Sequence, residues 1–306
     1  MAKILIKMKK VFLFLTFILI SFELVNAQNK IIKPNPSEWK NDEVTIAWIG
    51  HSTVLINFYG VWILTDPVLF ERVGVYVFGS NIGPSRITPP ALTIDEIPQP
   101  DIVLISHAHF DHMDTWTLTE LTEKYPDAIT VITAYKTKDI ISDLEWKEII
   151  ELDWGETIIV KDISFSAYEV KHWGARIPVE KDRSKGYFKD GRSYNSYVIS
   201  KKNKKVLFGG DTGFTDKFNI LKDLKINVAI MPIGAYNPWK YAHCNPEEAL
   251  IMTKNMNVNK IIPIHTMTFP QGEESFREPI EWLMKSATNY NIEVVIKNIG
   301  ETYIVK

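Results

Sequence analysis

The sequence predicts a single layered α/β domain over residues 43–306. Apolar strand-like runs alternate with helical stretches throughout this region, and no linker, internal repeat or low-complexity segment divides it. The composition, 45% hydrophobic and 24% charged, is typical of a globular protein rather than of a disordered or fibrous one. Mixed strands and helices within one uninterrupted region favour a sheet covered by helices.

The first strand-like runs follow one another closely. They are VTIAWI, TVLINF and VWILTD, and short turns at Gly50-His51-Ser52 and Tyr59-Gly60 separate them. Such short connections predict an antiparallel meander.

Strands and helices alternate in the rest of the chain. In order, the predicted elements are the strand IVLIS, the helix TWTLTELTEKY, the strand AITVIT, a helix over 136–146, and the strands EIIEL, TIIV and ISFSAYEV. The remainder comprises SYVIS, KVLFGG, a helix over 215–223, NVAIMPI, a helix from 246, KIIPIH, a helix over 275–289, IEVVIK and TYIV.

Residues 1–27 belong to a different physical class. Four lysines precede the apolar run VFLFLTFILISF, and VNA then provides a small-residue cleavage site between Ala27 and Gln28. This pattern predicts a signal peptide and an exported protein, periplasmic or on the outer surface. The alternative is an uncleaved membrane anchor, for which a dozen apolar residues are short against the roughly 20 that a bilayer requires. Residues 28–42 form a polar lead-in to the domain.

Charge and cysteine content restrict the possible partners. The chain has a formal net charge of −2, and cleavage after residue 27 removes four lysines and one glutamate to leave −5. Nucleic-acid binding relies on clustered Lys and Arg, so we predict no nucleic-acid partner. Cys244, the single cysteine, cannot form an internal disulfide, so the core and bound metal must supply stability.

The stretch IVLISHAHFDHMD concentrates three of the seven histidines of the chain. His107, His109, Asp111 and His112 follow directly after a buried strand and enter a loop, where their side chains can converge on one point. Imidazoles and carboxylates are the ligands that a borderline divalent ion such as zinc takes. This motif therefore predicts a metal site.

The other histidines are His51, His172, His243 and His265, and two of them end strand-like runs. His172 follows AYEVK and His265 follows IIPI, while Asp211 follows KVLFGG in the same way. The glycines before Asp211 let the backbone approach an ion closely. Ligands at strand ends can meet on one edge of a layered fold.

These residues carry a resemblance. HAHFDH, His172, GDTG with Asp211, and His265 are together similar to the five-part metal signature of the metallo-β-lactamase superfamily. WIGHSTVLI, LTDPV, GPSRITPP, ELDWGE, KHWGAR, PIGAYNPW and HCNPEEA resemble the bacterial relatives of N-acyl-phosphatidylethanolamine-hydrolysing phospholipase D. The resemblance spans residues 43–285, with the motifs in order.

The resemblance implies a four-layer αβ/βα sandwich, in which two mixed β-sheets pack face to face with helices outside and metals at one edge. It implies two divalent metal ions: one held by His107, His109 and His172, the other by Asp111, His112 and His265, with Asp211 bridging them. Zinc is the default for such ligands, and iron or manganese fit the same set.

The implied reaction is hydrolysis by a metal-bridging hydroxide that Asp111 helps to orient. Attack at phosphorus would make the protein a phosphodiesterase of phospholipase D type, acting on an N-acyl-phosphatidylethanolamine-like or related phosphodiester. The alternative is attack at a carbonyl by a lactonase or other small-ester or amide hydrolase with the same ligands. A non-catalytic protein of this fold would be expected to lack ligands, and none is missing.

Two motifs depart from the family pattern beside the metal ligands, where substrate would bind. They are HTMTF, where relatives often have HWGTF, and NPWK, where relatives often have an arginine after the proline.

Three further residues are predicted to support the site. His51 is expected to hydrogen-bond a ligand or position its loop, the alternative being an ordinary turn histidine. His243 precedes a helix that Asn245 can cap, and the resemblance makes it a catalytic residue that contacts substrate or protonates a leaving group; the alternative is loop packing. Tyr236, within PIGAYNPW, is predicted to lie near the substrate or behind the ligands.

Two segments are candidates for shaping the substrate site. Residues 68–90 are long and apolar, with Phe70, Val75, Tyr76, Val77 and Phe78, and would suit an acyl-chain groove in peripheral contact with a membrane, or ordinary packing at the domain edge. Residues 181–192 carry five basic and two acidic residues and would suit an anionic head group or a solvated loop. The sequence leaves the oligomeric state open.

Overall fold

The computed structural model describes residues 32–77, 80–186 and 189–306. The predicted signal peptide, the first residues of the lead-in and Phe78 lie outside the described residues. No helix within the described ranges combines the length and the apolar character that a bilayer span needs.

Sixteen strands and four α-helices make up the described chain. The strands are β1 Val44–Gly50, β2 Thr53–Phe58, β3 Val61–Thr65, β4 Val75–Val77, β5 Ser80–Ile82, β6 Ile102–Leu104, β7 Thr130–Ala134, β8 Glu148–Leu152, β9 Thr157–Val160, β10 Ile163–Glu169, β11 Asn195–Lys201, β12 Lys204–Phe208, β13 Val228–Pro232, β14 Lys260–Ile264, β15 Glu293–Val294 and β16 Thr302–Ile304. The helices are α1 Thr115–Lys124, α2 Tyr236–Trp239, α3 Pro246–Asn255 and α4 Glu278–Ser286. Short 3₁₀ turns cover Pro36–Glu38, Lys138–Ile140, Arg183–Lys185, Lys217–Leu221 and Ala287–Tyr290.

Two seven-stranded sheets form the centre of the fold. The first has the order β16-β1-β2-β3-β6-β7-β8, and the second has the order β15-β14-β13-β12-β11-β10-β9. The predicted meander is confirmed, since β1, β2 and β3 pair antiparallel. Parallel pairs follow in both sheets, so each sheet is mixed. The predicted αβ/βα sandwich is therefore confirmed.

The core lies between the sheets and draws on both of them. Trp48 and Phe58 of the first sheet and Phe165, Tyr197 and Phe208 of the second are fully buried. They belong to one continuous apolar cluster. Burying one such side chain stabilises a fold by roughly 1.5–3 kcal/mol, so this cluster holds the two sheets in a fixed relation.

Local sequence signals set the helix starts. The side chain of Asp114 accepts a hydrogen bond from the backbone of Thr117 and begins α1. Asn245 caps α3 as predicted, and it also forms a reciprocal capping box with Glu248, with Pro246 in the first turn.

Two predicted helices are wrong. Residues 136–146 form only the 3₁₀ turn Lys138–Ile140, after which the indole N–H of Trp146 donates to the carbonyl of Ile141. Residues 215–223 also form a 3₁₀ turn, which buries Phe218 and Leu221. Residues three apart share one side of a 3₁₀ turn, so this pair needs no α-helix to reach the core.

Candidate active site

All seven histidines of the chain gather at one edge of the sandwich. The first sheet contributes His51, which follows β1, and the HAHFDH loop, which follows β6. The second sheet contributes His172 after β10, Asp211 after β12 and His265 after β14. Strand direction explains this convergence: β12, β13 and β14 are parallel, and β10 runs the same way because β11 is antiparallel to both of its neighbours.

The loop before Asp211 passes very close to the first sheet. A Cβ on Gly210 would lie 2.7 Å from the Cβ of Ser106 and 2.8 Å from the carbonyl oxygen of Asn195, and the φ of Gly210 is +57°. Only glycine meets both conditions. Gly210 thereby lets Asp211 approach the histidines of the opposite sheet.

The backbone also joins the two sheets at the site. The N–H of His265 donates to the carbonyl of His51 over 3.0 Å. The backbones of both residues adopt the left-handed conformation, with φ of 51° for His51 and 58° for His265. Non-glycine residues in this region are uncommon and are concentrated at functional sites, where surrounding contacts hold them.

One donor group contains His107, His109 and His172. The Nε2 of His107 lies 2.8 Å from the Nδ1 of His109, which lies 3.1 Å from the Nε2 of His172. The Nδ1–H of His172 donates to the carbonyl of Ala242, so its Nε2 carries a lone pair. Burial lowers the pKa of His107 and His172 well below the usual value and that of His109 to about 4. Neutral imidazoles are the form that binds metal.

A second donor group contains His51, Asp111, His112 and His265. The Oδ2 of Asp111 lies 3.0 Å from the Nε2 of His51, 3.3 Å from that of His265 and 3.4 Å from that of His112. His51 thus contacts a predicted ligand, Asp111, and is itself within reach of a cation at this point.

Asp211 lies between the two groups. Its Oδ2 is 3.1 Å from the Nε2 of His112, 3.1 Å from that of His265 and 4.0 Å from that of His172. Its Oδ1 is buried without a hydrogen-bond partner among the described residues, as are the Nε2 atoms of His109 and His112. Buried polar atoms of this kind need a partner, and a divalent cation satisfies acceptors from both groups at once.

The electrostatics of the site also favour a cation. Burial lowers the pKa of His112, but the carboxylates of Asp211 and Asp111 outweigh it and raise that pKa well above the usual value. Burial also lowers the pKa of His265, but the same two carboxylates outweigh it and raise that pKa to about 9. Both imidazoles therefore attract positive charge, as a proton or as a metal ion. The donors fit divalent metal: His107, His109 and His172 could hold an ion on one side, Asp111, His112 and His265 could do so on the other, and Asp211 lies between the two groups.

Comparison with known proteins agrees with this geometry. A family model described as the Beta-lactamase superfamily domain matches residues 61–266, which is more than half of the chain. The chain belongs to the beta-lactamase superfamily. With its histidine and aspartate donors in place, it is a metal-dependent hydrolase of that superfamily.

Two curated relatives of this hydrolase have named activities. N-acyl-phosphatidylethanolamine-hydrolyzing phospholipase D 1 of Caenorhabditis elegans is 31% identical over 248 residues, covering 76% of this chain and 66% of that protein. The mitochondrial enzyme of the same description from Saccharomyces cerevisiae is 31% identical over 248 residues, covering 77% of this chain and 50% of that protein. A solved metallo hydrolase from Ignicoccus hospitalis shares the fold, with a TM-score of 0.63, 20% identity and coverage of 86% of this chain and 98% of that one.

A cavity of about 520 Å³ opens above the donor groups of the hydrolase. Polar donors form part of its lining, namely His109, Asp111, Asp211, His243 and His265. Apolar residues make up much of the remaining wall: Val73, Pro84, Phe110, Trp173, Ala175, Ala235, Trp239 and Pro270. Val73 and Pro84 belong to residues 68–90, so part of that segment does face the site.

The predicted substrate-side residues divide into two cases. His243 lines the cavity, with its Nδ1 3.7 Å from the Oδ2 of Asp211. Tyr236 packs against the ring of Trp282, and its hydroxyl donates to Glu278 of α4 over 2.7 Å. The cavity lining does not include Tyr236, and the structure does not bring this residue to the donors.

The charge-rich segment 181–192 lies apart from the donor groups. The guanidinium of Arg192 bridges Asp139 and Glu180, and Lys181 pairs with Asp190. These residues line a separate open cleft that contains none of the metal donors. Most of the charge of this segment is therefore engaged in local ion pairs.

Sequence reasoning missed three residues that contact the site. Asp66 accepts from Ser106 and lies beside His112; Gln271 donates to the Oδ2 of Asp111 over 2.6 Å; and Arg176 lines the cavity. Asp66 carried a usable signal, because it ends the strand-like run VWILTD as Asp211 and His265 end theirs. The sequence offers no comparable signal for Gln271.

Proposed function

We propose that this hydrolase is an exported phosphodiesterase of phospholipase D type, which acts on an N-acyl-phosphatidylethanolamine-like or related phosphodiester. One observation carries the proposal: two groups of metal donors lie at a cavity whose other walls are largely apolar. Such a site suits a substrate with an anionic reacting group and a long hydrocarbon portion. The two relatives of phospholipase D description, at 31% identity, support the same substrate class.

Divalent ions held by these residues would supply Lewis acidity, which polarises a phosphoryl group and lowers the pKa of water towards neutrality. The protein's own groups orient this chemistry. His51 and Gln271 both contact the Oδ2 of Asp111, so that carboxylate has a fixed direction. A fixed carboxylate at the cavity surface can hold the attacking water by accepting a hydrogen bond from it.

His243 lines the cavity next to Asp211. Burial lowers the pKa of His243 to about 4, so the imidazole is neutral near pH 7. A neutral ring still donates one N–H, which we assign to an oxygen of the phosphodiester or of the leaving group. Hydrogen bonds that strengthen as charge moves onto the leaving oxygen stabilise the transition state.

We assign the apolar wall of the cavity to the hydrocarbon portion of this substrate. Each methylene transferred from water to such a wall contributes about 0.8 kcal/mol. We further propose that the cavity rim makes peripheral contact with a membrane. Val75 and Ile82 of the β4–β5 hairpin are 46% and 62% exposed, and Trp239 at the cavity is 45% exposed. Val73 and Pro84, on either side of that hairpin, line the cavity, which supports a role for the exposed apolar side chains of the hairpin in this contact.

A substrate comparison tests the proposal. Purified protein loaded with zinc, iron or manganese is assayed on bis-p-nitrophenyl phosphate, on vesicles containing N-acyl-phosphatidylethanolamine, and on a panel of neutral lactones. We expect the two phosphodiesters to be hydrolysed and the vesicle substrate to be preferred, with activity lost after chelation. Turnover of lactones without turnover of either phosphodiester would replace this proposal with the lactonase alternative.

A further inference from the structure

Arg176 presents a positive charge to the cavity without a carboxylate partner. It lines the cavity beside His109, Phe110 and Asp111. Among the described residues it makes no ion pair within 4.0 Å, and its guanidinium hydrogen bonds both come from Nη1, to the carbonyls of Ala108 and Met113. The Nε and Nη2 donors therefore have no acceptor in the described part of the chain.

A second arginine shows that stacking on an aromatic ring does not exclude an anionic partner. Arg183 stacks on the ring of Trp154 at 3.9 Å, just as Arg176 stacks on Phe110 at 3.9 Å. Arg183, however, pairs with Asp153 over 2.8 Å. The stacking contact alone therefore does not account for an arginine left without an anion. Burying a guanidinium without an anionic partner is costly, which suggests that the anion arrives with a ligand.

The charged residues around Arg176 leave the Nε and Nη2 side of its guanidinium free to bind an anion. Burial, together with the positive charge of Arg192, lowers the pKa of Arg176 to about 10. The carboxylates of Asp114, Glu180 and Asp111 act to raise it, but by less. The nearby carboxylates have other partners: Asp114 caps α1, Glu180 pairs with Arg192, and Asp111 contacts His51 and Gln271. Arg176 remains protonated at neutral pH, with its position fixed by two backbone carbonyls and an aromatic ring.

We propose that Arg176 is the anion-binding residue of the cavity and contacts a non-bridging phosphoryl oxygen of the substrate. The Nε and Nη2 donors of arginine form a planar fork that matches two oxygens of a phosphate. The inference rests on the proposed phosphodiesterase function and deepens it, because a neutral lactone would gain nothing from this charge. Arg176 thus separates anionic from neutral substrates.

Binding of inorganic phosphate to the metal-loaded protein tests the assignment independently of turnover. Arg176→Gln should weaken phosphate binding about ten- to hundredfold, the usual effect of losing a charge-assisted hydrogen bond. The matched control, Arg183→Gln, removes a guanidinium that lies over an aromatic ring at the same distance but outside the cavity, and it should bind phosphate like the wild type. Calorimetry gives the dissociation constants, and metal content is measured on the same samples.

A second variant tests whether Arg176 acts only by supporting the HAHFDH loop, since it donates hydrogen bonds to Ala108 within that loop and to Met113 directly after it. Arg176→Lys keeps the charge but lacks the planar fork, so phosphate binding should weaken by a smaller factor while both metals stay bound. Unchanged phosphate affinity in fully metallated Arg176→Gln would overturn the proposal. Loss of metal in both variants would overturn it too, by making Arg176 a support of the loop. If phosphate binding depends on Arg176 but no phosphodiester is hydrolysed, the proposed function fails and this assignment stands as that of an anion site.

Discussion

The Nδ1 of His112 lies 2.7 Å from the Oδ2 of Asp66, and both side chains are completely buried. The hydroxyl of Ser106 donates to the same carboxylate oxygen over 2.6 Å. With Nδ1 engaged, the Nε2 of His112 is the atom that faces Asp211. A carboxylate behind a metal-binding histidine fixes its tautomer and ring orientation and raises its basicity.

Replacing Asp66 should therefore weaken metal binding without removing a ligand. We expect Asp66→Asn to lower the affinity for metal by about 10–100-fold, the usual range for such supporting residues. Competition with a chromophoric chelator measures the affinity, and Asp95→Asn, which alters an exposed carboxylate on the surface, is the control. Equal affinities in Asp66→Asn and the wild type would show that His112 does not need this partner.

Asp211 is the carboxylate that reaches both donor groups, so its removal should have the largest effect on metal content. We expect Asp211→Ala to lose at least one of two metals and to lose hydrolytic activity. Elemental analysis of the purified variant gives the metal content, with Asp216→Ala as an exposed carboxylate control. Full metal content together with full activity in Asp211→Ala would show that the assignment of ligands is wrong.

His243 offers a test of chemistry rather than of metal binding. His243→Ala should retain both metals and should lower kcat/KM on a phosphodiester by about 10²–10³-fold, the range for loss of a hydrogen bond that strengthens in the transition state. Tyr241→Ala alters an exposed side chain on the same turn and is the control. A normal rate with full metal content would reduce His243 to loop packing. A low rate with metal lost would instead place His243 among the ligands, next to His172 and Asp211.

The predicted export signal has a direct measurement. Mass spectrometry of the protein secreted from its host should give an N-terminus at or near Gln28, because the VNA sequence supplies the small residues that signal peptidases require. Recovery of the chain in a membrane fraction with Met1 attached would support the anchor reading instead.

The sequence predicted most of the strands, because their apolar runs stand out clearly from the polar turns between them. It also predicted which histidines would meet, since His172 and His265 both end such runs and parallel strands deliver their ends to one edge. It failed at residues 136–146 and 215–223, each of which contains a 3₁₀ turn in place of the expected α-helix, and in the second Phe218 and Leu221 reach the core from that turn. Periodicity over so few residues does not separate a 3₁₀ turn from an α-helix.

The contacts behind the ligands were harder to predict. Asp66 and His112 are 46 residues apart and Gln271 and Asp111 are 160 apart, so no local pattern links either pair. The proposed role of Arg176 rests on its Nε and Nη2 donors, which have no hydrogen-bond acceptor among the described residues. Only the folded chain reveals that Arg183 has an anionic partner and that Arg176 has none among the described residues.

Because every histidine of the chain lies within this one site, the imidazole ring is a natural reporter group for it. In an NMR spectrum of protein labelled with ¹⁵N in its histidine side chains, no signal from a surface histidine would overlap those of the site. Metal titration can then be followed ring by ring, with the tautomer of each assigned in solution. A polyhistidine purification tag is unsuitable for this experiment, because its signals would overlap those of the seven histidines of the site.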